Sequence, residues 1–332
     1  MIENEATLSA LPAGVLLALQ LDGRGGARAV PWHEVDGWDA AAGTLWVHID
    51  FEEPGAREWL AQSSGLNDIA TEALLTAETR PRTLNRGDNL LLALRGINLN
   101  PGNEPEDMVS LRIWTDGRRV ISSRRRSLRT TDVILDDLRD GQGPATAADL
   151  IVAYAQQITL LMQGTLDRLE EELLELEERV LGEPDRLLRT GLVDLRRRII
   201  AIRRYLAPQR EALNRLAGET LSWLDELNRL RLREASDRLI RHIEDMDEMR
   251  DRAILAQEEL ANLVAQQMNE RSYLFTVAAV VFLPLGFLTG LLGINVGGMP
   301  GVDSDAAFWI VAAICALIGV CLALVLRLRR WL

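Results

Sequence analysis

Two uncharged segments lie near the carboxyl end of the sequence: SYLFTVAAVVFLPLGFLTGLLGINVGGMPGV at residues 272–302 and AAFWIVAAICALIGVCLALVL at residues 306–326. About 20 apolar residues in a helix are enough to span a bilayer. We therefore predict a first transmembrane helix at 272–295, an outer loop at 296–305 and a second transmembrane helix at 306–326. A buried helical hairpin of a soluble protein is the alternative, but an uncharged helix that ends in an arginine cluster is rare there.

The placement of arginines predicts the orientation of these spans. Arg271 precedes the first span, and the loop carries only the acids Asp303 and Asp305. Three arginines in the short tail at 327–332 follow the second span: Arg327, Arg329 and Arg330. Because basic flanks stay on the cytoplasmic side, we expect both termini in the cytoplasm. In a ring of subunits the tail arginines would form a positive collar at the inner mouth, and the loop acids would attract cations to the outer mouth.

Composition excludes several classes of function. The chain has 332 residues, a net charge of −12 and two cysteines, and all 37 of its basic residues are arginine. The negative charge argues against a nucleic-acid partner, and two cysteines cannot build a disulfide framework or a four-cysteine zinc site. The sequence shows no HExxH motif, no Walker loop and no nucleophile constellation. We therefore expect neither enzymatic activity nor a covalently bound cofactor.

The remaining chain reads as two cytoplasmic regions. Short apolar runs separated by Gly and Pro predict an α/β domain over residues 1–145. Apolar residues at helical spacing predict a stalk of long helices over residues 146–271. The predicted strands are Gly14–Leu21, Thr44–Asp50, Asn89–Leu99, Ser110–Thr115 and Arg119–Ser123. The predicted helices of the first region are Ala56–Ser63, Asp68–Ala77 and Thr131–Arg139. A break at Gly182 separates two stalk helices, and a third helix from Leu227 to Asn295 would enter the membrane without interruption, over about 100 Å at ~1.5 Å per residue.

One side of the first span is polar or small, except for a single leucine. Its members alternate by three and four residues, which places them along one side of a coiled helix: Asn269, Ser272, Thr276, Ala279, Leu283, Gly286 and Gly290. Small residues allow close helix packing without a channel. Alternatively, this stripe lines a water-filled lumen in which Leu283 forms a hydrophobic constriction that gates by dewetting.

The spans contain no Asp, Glu or His side chain. Sites that strip a divalent cation of its water offer anionic or imidazole ligands. We therefore expect a permeating ion to keep much of its water and to be held by neutral oxygens, with Asn295 at the outer mouth. On the stalk, His242 and Asp245 share a helix face and form a candidate metal site, with a solvated charged face as the alternative.

A motif follows the first span directly. Gly293-Ile294-Asn295 precedes Gly297-Gly298-Met299-Pro300-Gly301, and it resembles the Gly-x-Asn signature of the CorA-type metal ion transporter superfamily, which usually has Met in the middle. Ile294 and the loop are more similar to the ZntB zinc transporter branch, since Gly301 stands where CorA magnesium channels commonly carry Glu. Four cytoplasmic segments resemble the same branch: Arg80–Arg82, Arg95–Pro101, Glu106–Trp114 and Val120–Arg124.

The resemblance implies a CorA-like homopentameric funnel in the bacterial inner membrane. It implies that the first span lines the pore, that Gly293, Ile294 and Asn295 form the selectivity filter, and that the transported ion is Zn²⁺; proton coupling is a further expectation from the resemblance. The expected partners are copies of the same chain, membrane lipid and divalent cations, and uptake is the expected direction. Two alternatives stay open: a Mg²⁺ channel of the CorA type, and a membrane-tethered helical sensor that conducts nothing.

Overall fold

The computed structural model describes residues 11–39, 43–77, 79–182, 186–293 and 306–328. The chain divides into a first unit that ends at Gln257 and a second unit that begins at Glu258. An α/β sheet region comes first, long helices follow, and the two most apolar helical segments come last. This order confirms the predicted fold class.

The described residues form seven strands and eight helices. The strands are β1 (Val15–Leu21), β2 (Ala27–Ala29), β3 (Thr44–Asp50), β4 (Arg82–Arg86), β5 (Asn89–Gly96), β6 (Val109–Thr115) and β7 (Arg119–Arg124). The helices are α1 (Trp32–Val35), α2 (Pro54–Gln62), α3 (Asp68–Leu75), α4 (Arg129–Arg139), α5 (Ala147–Leu181), α6 (Arg186–Gly218), α7 (Glu226–Leu292) and α8 (Ala307–Leu328).

A single mixed sheet joins all seven described strands, in the order β2-β1-β3-β7-β6-β5-β4. Neighbouring strands are antiparallel except β3 and β7, which are parallel and place Trp46 beside Val120 and His48 beside Ser122. Parallel strands need a crossover connection. The chain between β3 and β7 supplies it and contains α2, α3 and the antiparallel strands β4 to β6.

Both faces of the sheet are covered by helices. On β3, Val47 and Ile49 join an apolar core with Trp59 of α2. Trp46 points the other way and lies edge-on to Tyr154 of α5, with ring centroids 6.1 Å apart. Successive side chains of a strand face opposite sides, so the near-continuous apolar run in β3 is explained by burial on both faces. Each fully buried large apolar side chain contributes about 1.5–3 kcal/mol.

Long helices complete the first unit. Helix α6 lies against the sheet edge, where the Thr83 hydroxyl of β4 donates to the Ala212 carbonyl at 2.7 Å. Arg203 of α6 forms a two-pronged ion pair with Asp247 of α7, with N–O distances of 2.6 and 2.7 Å. The part of α7 before Glu258 is thereby fixed to the same unit as the sheet.

Sequence patterns predicted the central strands well and the edges poorly. The strand predicted at Thr44–Asp50 is confirmed as β3, whereas the strand predicted over Asn89–Leu99 ends at Gly96. Beyond it a turn begins, in which the Asn98 side chain accepts a hydrogen bond from the Asn100 N–H at 3.2 Å. Strands β2 and β4 and helix α1 were not predicted, because these short elements bury too few side chains to leave a periodic pattern.

The predicted helices are confirmed with small shifts at their ends. Helix α5 ends at Leu181, next to the predicted break, and α6 continues through Pro208 to Gly218. Helix α7 runs from Glu226 through Pro284 to Leu292. The predicted end of this helix at Asn295 lies outside the described residues.

Candidate functional site

Two helical segments of the second unit have the length and composition to cross a membrane. They are the apolar part of α7 and the whole of α8, and almost none of either segment is buried inside the chain. Helices that expose apolar surface on nearly every side require lipid or further helices around them. Both segments coincide with the predicted spans.

All seven residues of the predicted lining stripe are exposed on α7. Leu283, the predicted constriction, exposes 72% of its surface. Asn269 and Ser272 begin the stripe, and Gly290 ends it just before the helix terminates. The stripe is therefore free in a single chain to face either a lumen or another helix.

A different stripe of α7 is half-covered. Its members recur at spacings of three and four residues: Tyr273, Val277, Val281, Leu285 and Leu288. Helix α8 has a comparable half-covered stripe, which includes Val311, Cys315 and Leu322. At about 100° of rotation per residue, the covered stripe of α7 is centred roughly 150° away from the predicted lining stripe. The polar side and the covered side of α7 are thus nearly opposite.

The hydroxyls of two threonines in α7 are hydrogen-bonded within the helix itself. The Thr276 hydroxyl donates to the Ser272 carbonyl at 2.8 Å, and the Thr289 hydroxyl donates to the Leu285 carbonyl at 2.9 Å. A threonine that is satisfied within its own helix can lie in an apolar environment at little cost. Thr276 therefore does not by itself require water, and Asn269 and the row of small residues support a wet face more strongly.

The predicted filter and mouth lie largely outside the described residues. Gly293 is described, and its N–H donates to the Thr289 carbonyl at 2.9 Å. The positions outside the described ranges are Ile294, Asn295, Asp303, Asp305, Arg329 and Arg330. Arg327 lies exposed in the last turn of α8. The roles assigned to all these residues stay predictions.

The structure separates the environments of the two candidate stalk ligands. His242 is buried, and its Nε2 lies 3.2 Å from the Thr159 carbonyl of α5, whereas Asp245 is exposed. Burial lowers the pKa of His242. Among the described residues no group of three or more His, Cys, Asp or Glu side chains is arranged to hold a metal ion. A site at His242 and Asp245 stays a prediction.

A buried polar network joins β3 to β7. The Trp46 indole donates to the Ser122 hydroxyl at 2.8 Å, and His48 Nδ1 lies 2.7 Å from the same oxygen. Burial, together with the positive charge of Arg124, lowers the pKa of His48 to about 3. The imidazole is therefore neutral at physiological pH, and the network is a structural feature of the core.

Sequence patterns missed the ion pairs between the long helices. Glu177 of α5 binds Arg252 of α7 with N–O distances of 2.5 and 3.1 Å, and Glu172 of α5 binds Arg198 of α6. The only available signal was the abundance of arginine on the following helices, which does not specify partners. These pairs tie α5, α6 and the first part of α7 together.

Comparison with known proteins matches nearly the whole chain. The family described as "CorA-like Mg2+ transporter protein" matches residues 41–330. The chain is 43% identical over 331 residues to the divalent cation transporter CmaX of Pseudomonas aeruginosa, covering 96% of this chain and 97% of the relative. It is 34% identical over 320 residues to the zinc transport protein ZntB of Pectobacterium carotovorum subsp. carotovorum, with 96% and 97% covered.

A solved structure extends this likeness to three dimensions. The full-length CmaX structure matches with a TM-score of 0.84 and 40% identity, covering 96% of this chain and 98% of that chain. The resemblance inferred from the Gly-x-Asn motif is thereby confirmed at the level of the superfamily. The chain belongs to the CorA-like Mg²⁺ transporter family and is a metal-ion transporter, not an enzyme.

Proposed function

We propose that this protein carries Zn²⁺ into the cell through a homopentameric pore in the bacterial inner membrane, with both termini in the cytoplasm. Relatives named as zinc transport proteins support the ion, and the arginines that flank the two spans support the orientation. Two spans per chain cannot enclose a channel, so the path requires a ring of subunits.

The observation that carries the proposal is the polar stripe of α7. It is exposed and nearly opposite the half-covered side of the same helix. If α8 covers that side, the polar stripe faces the ring axis, and Asn269, Ser272 and Thr276 would line the inner half of the lumen. Leu283 would then place a ring of leucines across the path, which gates the pore by dewetting.

Polar and charged groups at the outer mouth determine how a cation enters the proposed path. Asn295 offers a neutral amide oxygen at the outer mouth, and Asp303 and Asp305 raise the local cation concentration there. The spans contain no acid or imidazole, so the ion passes with most of its water. A membrane voltage of 100 mV contributes ~2.3 kcal/mol per charge, or ~4.6 kcal/mol for a divalent ion, and favours uptake.

Purified protein in liposomes with an interior metal-sensitive dye tests the ion. We expect Zn²⁺ influx that grows with an inside-negative voltage. Magnesium influx without zinc influx at equal gradients would overturn the assignment and favour the alternative, a Mg²⁺ channel, which the description of the matching family supports. Zinc influx unaffected by an imposed pH gradient would contradict the proton coupling that the family resemblance implies.

A pair of substitutions tests the gate. Leu283→Asp places a charge in the constriction and is expected to raise the resting zinc leak by wetting it. Leu283→Ile, which keeps an apolar side chain of the same size, is expected to leave the leak unchanged. Unchanged or lower flux in Leu283→Asp would contradict the gate, and flux at the lipid background in the unmutated protein would favour a non-conducting sensor.

A further inference from the structure

A cavity of about 180 Å³ in the first unit has an unusual concentration of positive charge. Its lining includes five arginines that come from β5, β6, the segment after β7, and α6: Arg95, Arg112, Arg125, Arg126 and Arg204. Glu106 and Asp107 also line it, so the formal charges of the described lining residues sum to about three positive units, or about two once the ion pair of Arg125 with Glu52 is counted. The fold gathers these residues from distant positions, and their clustering was not visible in the sequence.

Arg112 is the buried member of this cluster. It exposes only 2% of its surface, and its Nη2 donates to the Ala77 carbonyl at 2.7 Å. Its Nε and Nη1 have no hydrogen-bond partner within the described residues. The guanidinium lies 4.6 Å from the centroid of the Phe51 ring. A buried cation that lacks a partner anion is costly, so an anion bound in the cavity beside Arg112 would stabilise its guanidinium charge.

Arg95 and Arg204 are held in position by neutral groups, whereas Arg125 forms an ion pair with Glu52 at 2.6 Å. Arg95 donates to the carbonyls of Thr79 and Met108, both at 3.0 Å. Arg95 and Arg204 both lie over the Tyr205 ring, at 4.3 and 4.6 Å from its centroid. Their charges are therefore fixed around the cavity before any ligand arrives, which reduces the entropy cost of binding.

The electrostatic surroundings of Arg112 also favour a bound anion. Burial, with the added repulsion of Arg95, lowers the pKa of Arg112 to about 10. The surroundings thus disfavour positive charge, and a bound anion would reverse that effect. A single water needs about 10–15 Å³ of such cavity space, so the cavity has room for a ligand larger than one water.

We propose that this cavity binds a phosphate-class oxyanion, with Arg112 as the buried donor and Arg126 and Arg204 as exposed donors at its mouth. Guanidinium groups present paired N–H donors that match the oxygens of phosphate. The positive excess of the lining favours a dianion over a singly charged carboxylate. The ligand is inorganic phosphate or the phosphate group of a nucleotide, and the two sources share the same contacts.

Calorimetric titration of inorganic phosphate into the full-length protein in detergent tests the site, in metal-free buffer at constant ionic strength. Because no metal is transported in this assay, its result does not depend on the proposed function. We expect saturable binding that is lost in Arg112→Gln. Arg204→Gln, at an exposed position, is expected to weaken binding roughly tenfold, since a hydrogen bond to a charged group is worth a factor of this order.

Arg118→Gln is the matched control, because Arg118 is also exposed but precedes β7, whereas the cavity arginines Arg125 and Arg126 follow it. We expect this variant to bind phosphate as the unmutated protein does. Absence of saturable binding at concentrations that would fill a site with a Kd of about 1 mM, or equal weakening in Arg118→Gln and Arg204→Gln, would overturn the proposal. If Arg112→Gln fails to fold, Arg204→Gln decides. Tighter binding of AMP than of phosphate identifies a nucleotide source, and equal binding identifies free phosphate.

Discussion

Buried His48 is expected to make the first unit sensitive to acid. The imidazole is 1% exposed between β3 and β7, and its pKa falls from the usual 6.5 to about 3. As the pH drops below 6.5, the unfolded chain binds a proton at this histidine and the folded chain does not. His48 therefore contributes its full stability above pH 6.5, and the contribution is lost progressively until the pH reaches the folded pKa.

The size of the effect follows from the two pKa values. One pKa unit corresponds to ~1.4 kcal/mol, so the free energy of unfolding is expected to fall by about 2 kcal/mol between pH 7 and pH 5 from His48 alone. Burial also lowers the pKa of His242, which adds to the loss in the same direction. The contribution of His48 must therefore be obtained by comparing the pH dependence of the unfolding free energy between variants.

Hydrogen–deuterium exchange of β3 peptides in the full-length protein measures this free energy at each pH, after correction for the intrinsic exchange rate. His48→Gln is expected to remove about 2 kcal/mol of the loss between pH 7 and pH 5. His33→Gln is the control, since the His33 side chain is 82% exposed, and it should keep the full loss. An undiminished pH dependence in His48→Gln would refute this explanation.

Two further predictions concern the folding of the first unit. Gly117 has a φ of +87°, and a Cβ there would lie 2.2 Å from the Trp223 ring, so Gly117→Ala should lower the free energy of unfolding by ~3 kcal/mol. Gly87→Ala, with a φ of +60° and open space around it, should cost only ~1 kcal/mol; equal losses by urea denaturation would contradict the clash. The ion pair of Arg203 with Asp247 is about one-third exposed. A double-mutant cycle with alanine should give a coupling free energy of ~1 kcal/mol for unfolding. Additive losses of stability would show that the pair contributes nothing.

The sequence was informative where a pattern is local. The apolar run of β3 and the uncharged segments of α7 and α8 predicted elements that the structure confirms. The spacing of three and four residues also predicts that Asn269 through Gly290 share one side of a helix, and all of them lie within helix α7. Local periodicity fixes which side chains share a face, because helix geometry is regular.

The sequence was uninformative where distant segments meet. Arg112 lies in a strand of alternating polar and apolar residues, and nothing near it predicts that its guanidinium is buried over Phe51. Nothing in the sequence around His48 indicates its contact with Ser122, which is 74 positions away in the chain. Burial of polar groups depends on tertiary partners, which a single sequence does not specify.

Water contact along α7 tests the proposed pore most directly. In a protein with Cys315→Ser and Cys321→Ser, a membrane-impermeant thiol reagent is applied from the cytoplasmic side to vesicles carrying Thr276→Cys or, as the matched control, Leu274→Cys. The two positions are both exposed in the single chain and lie roughly 160° apart on the helix. We expect rapid modification at position 276, blocked by zinc, and none at position 274. Equal modification at both positions, or none at position 276, would contradict a lumen lined by this face of α7.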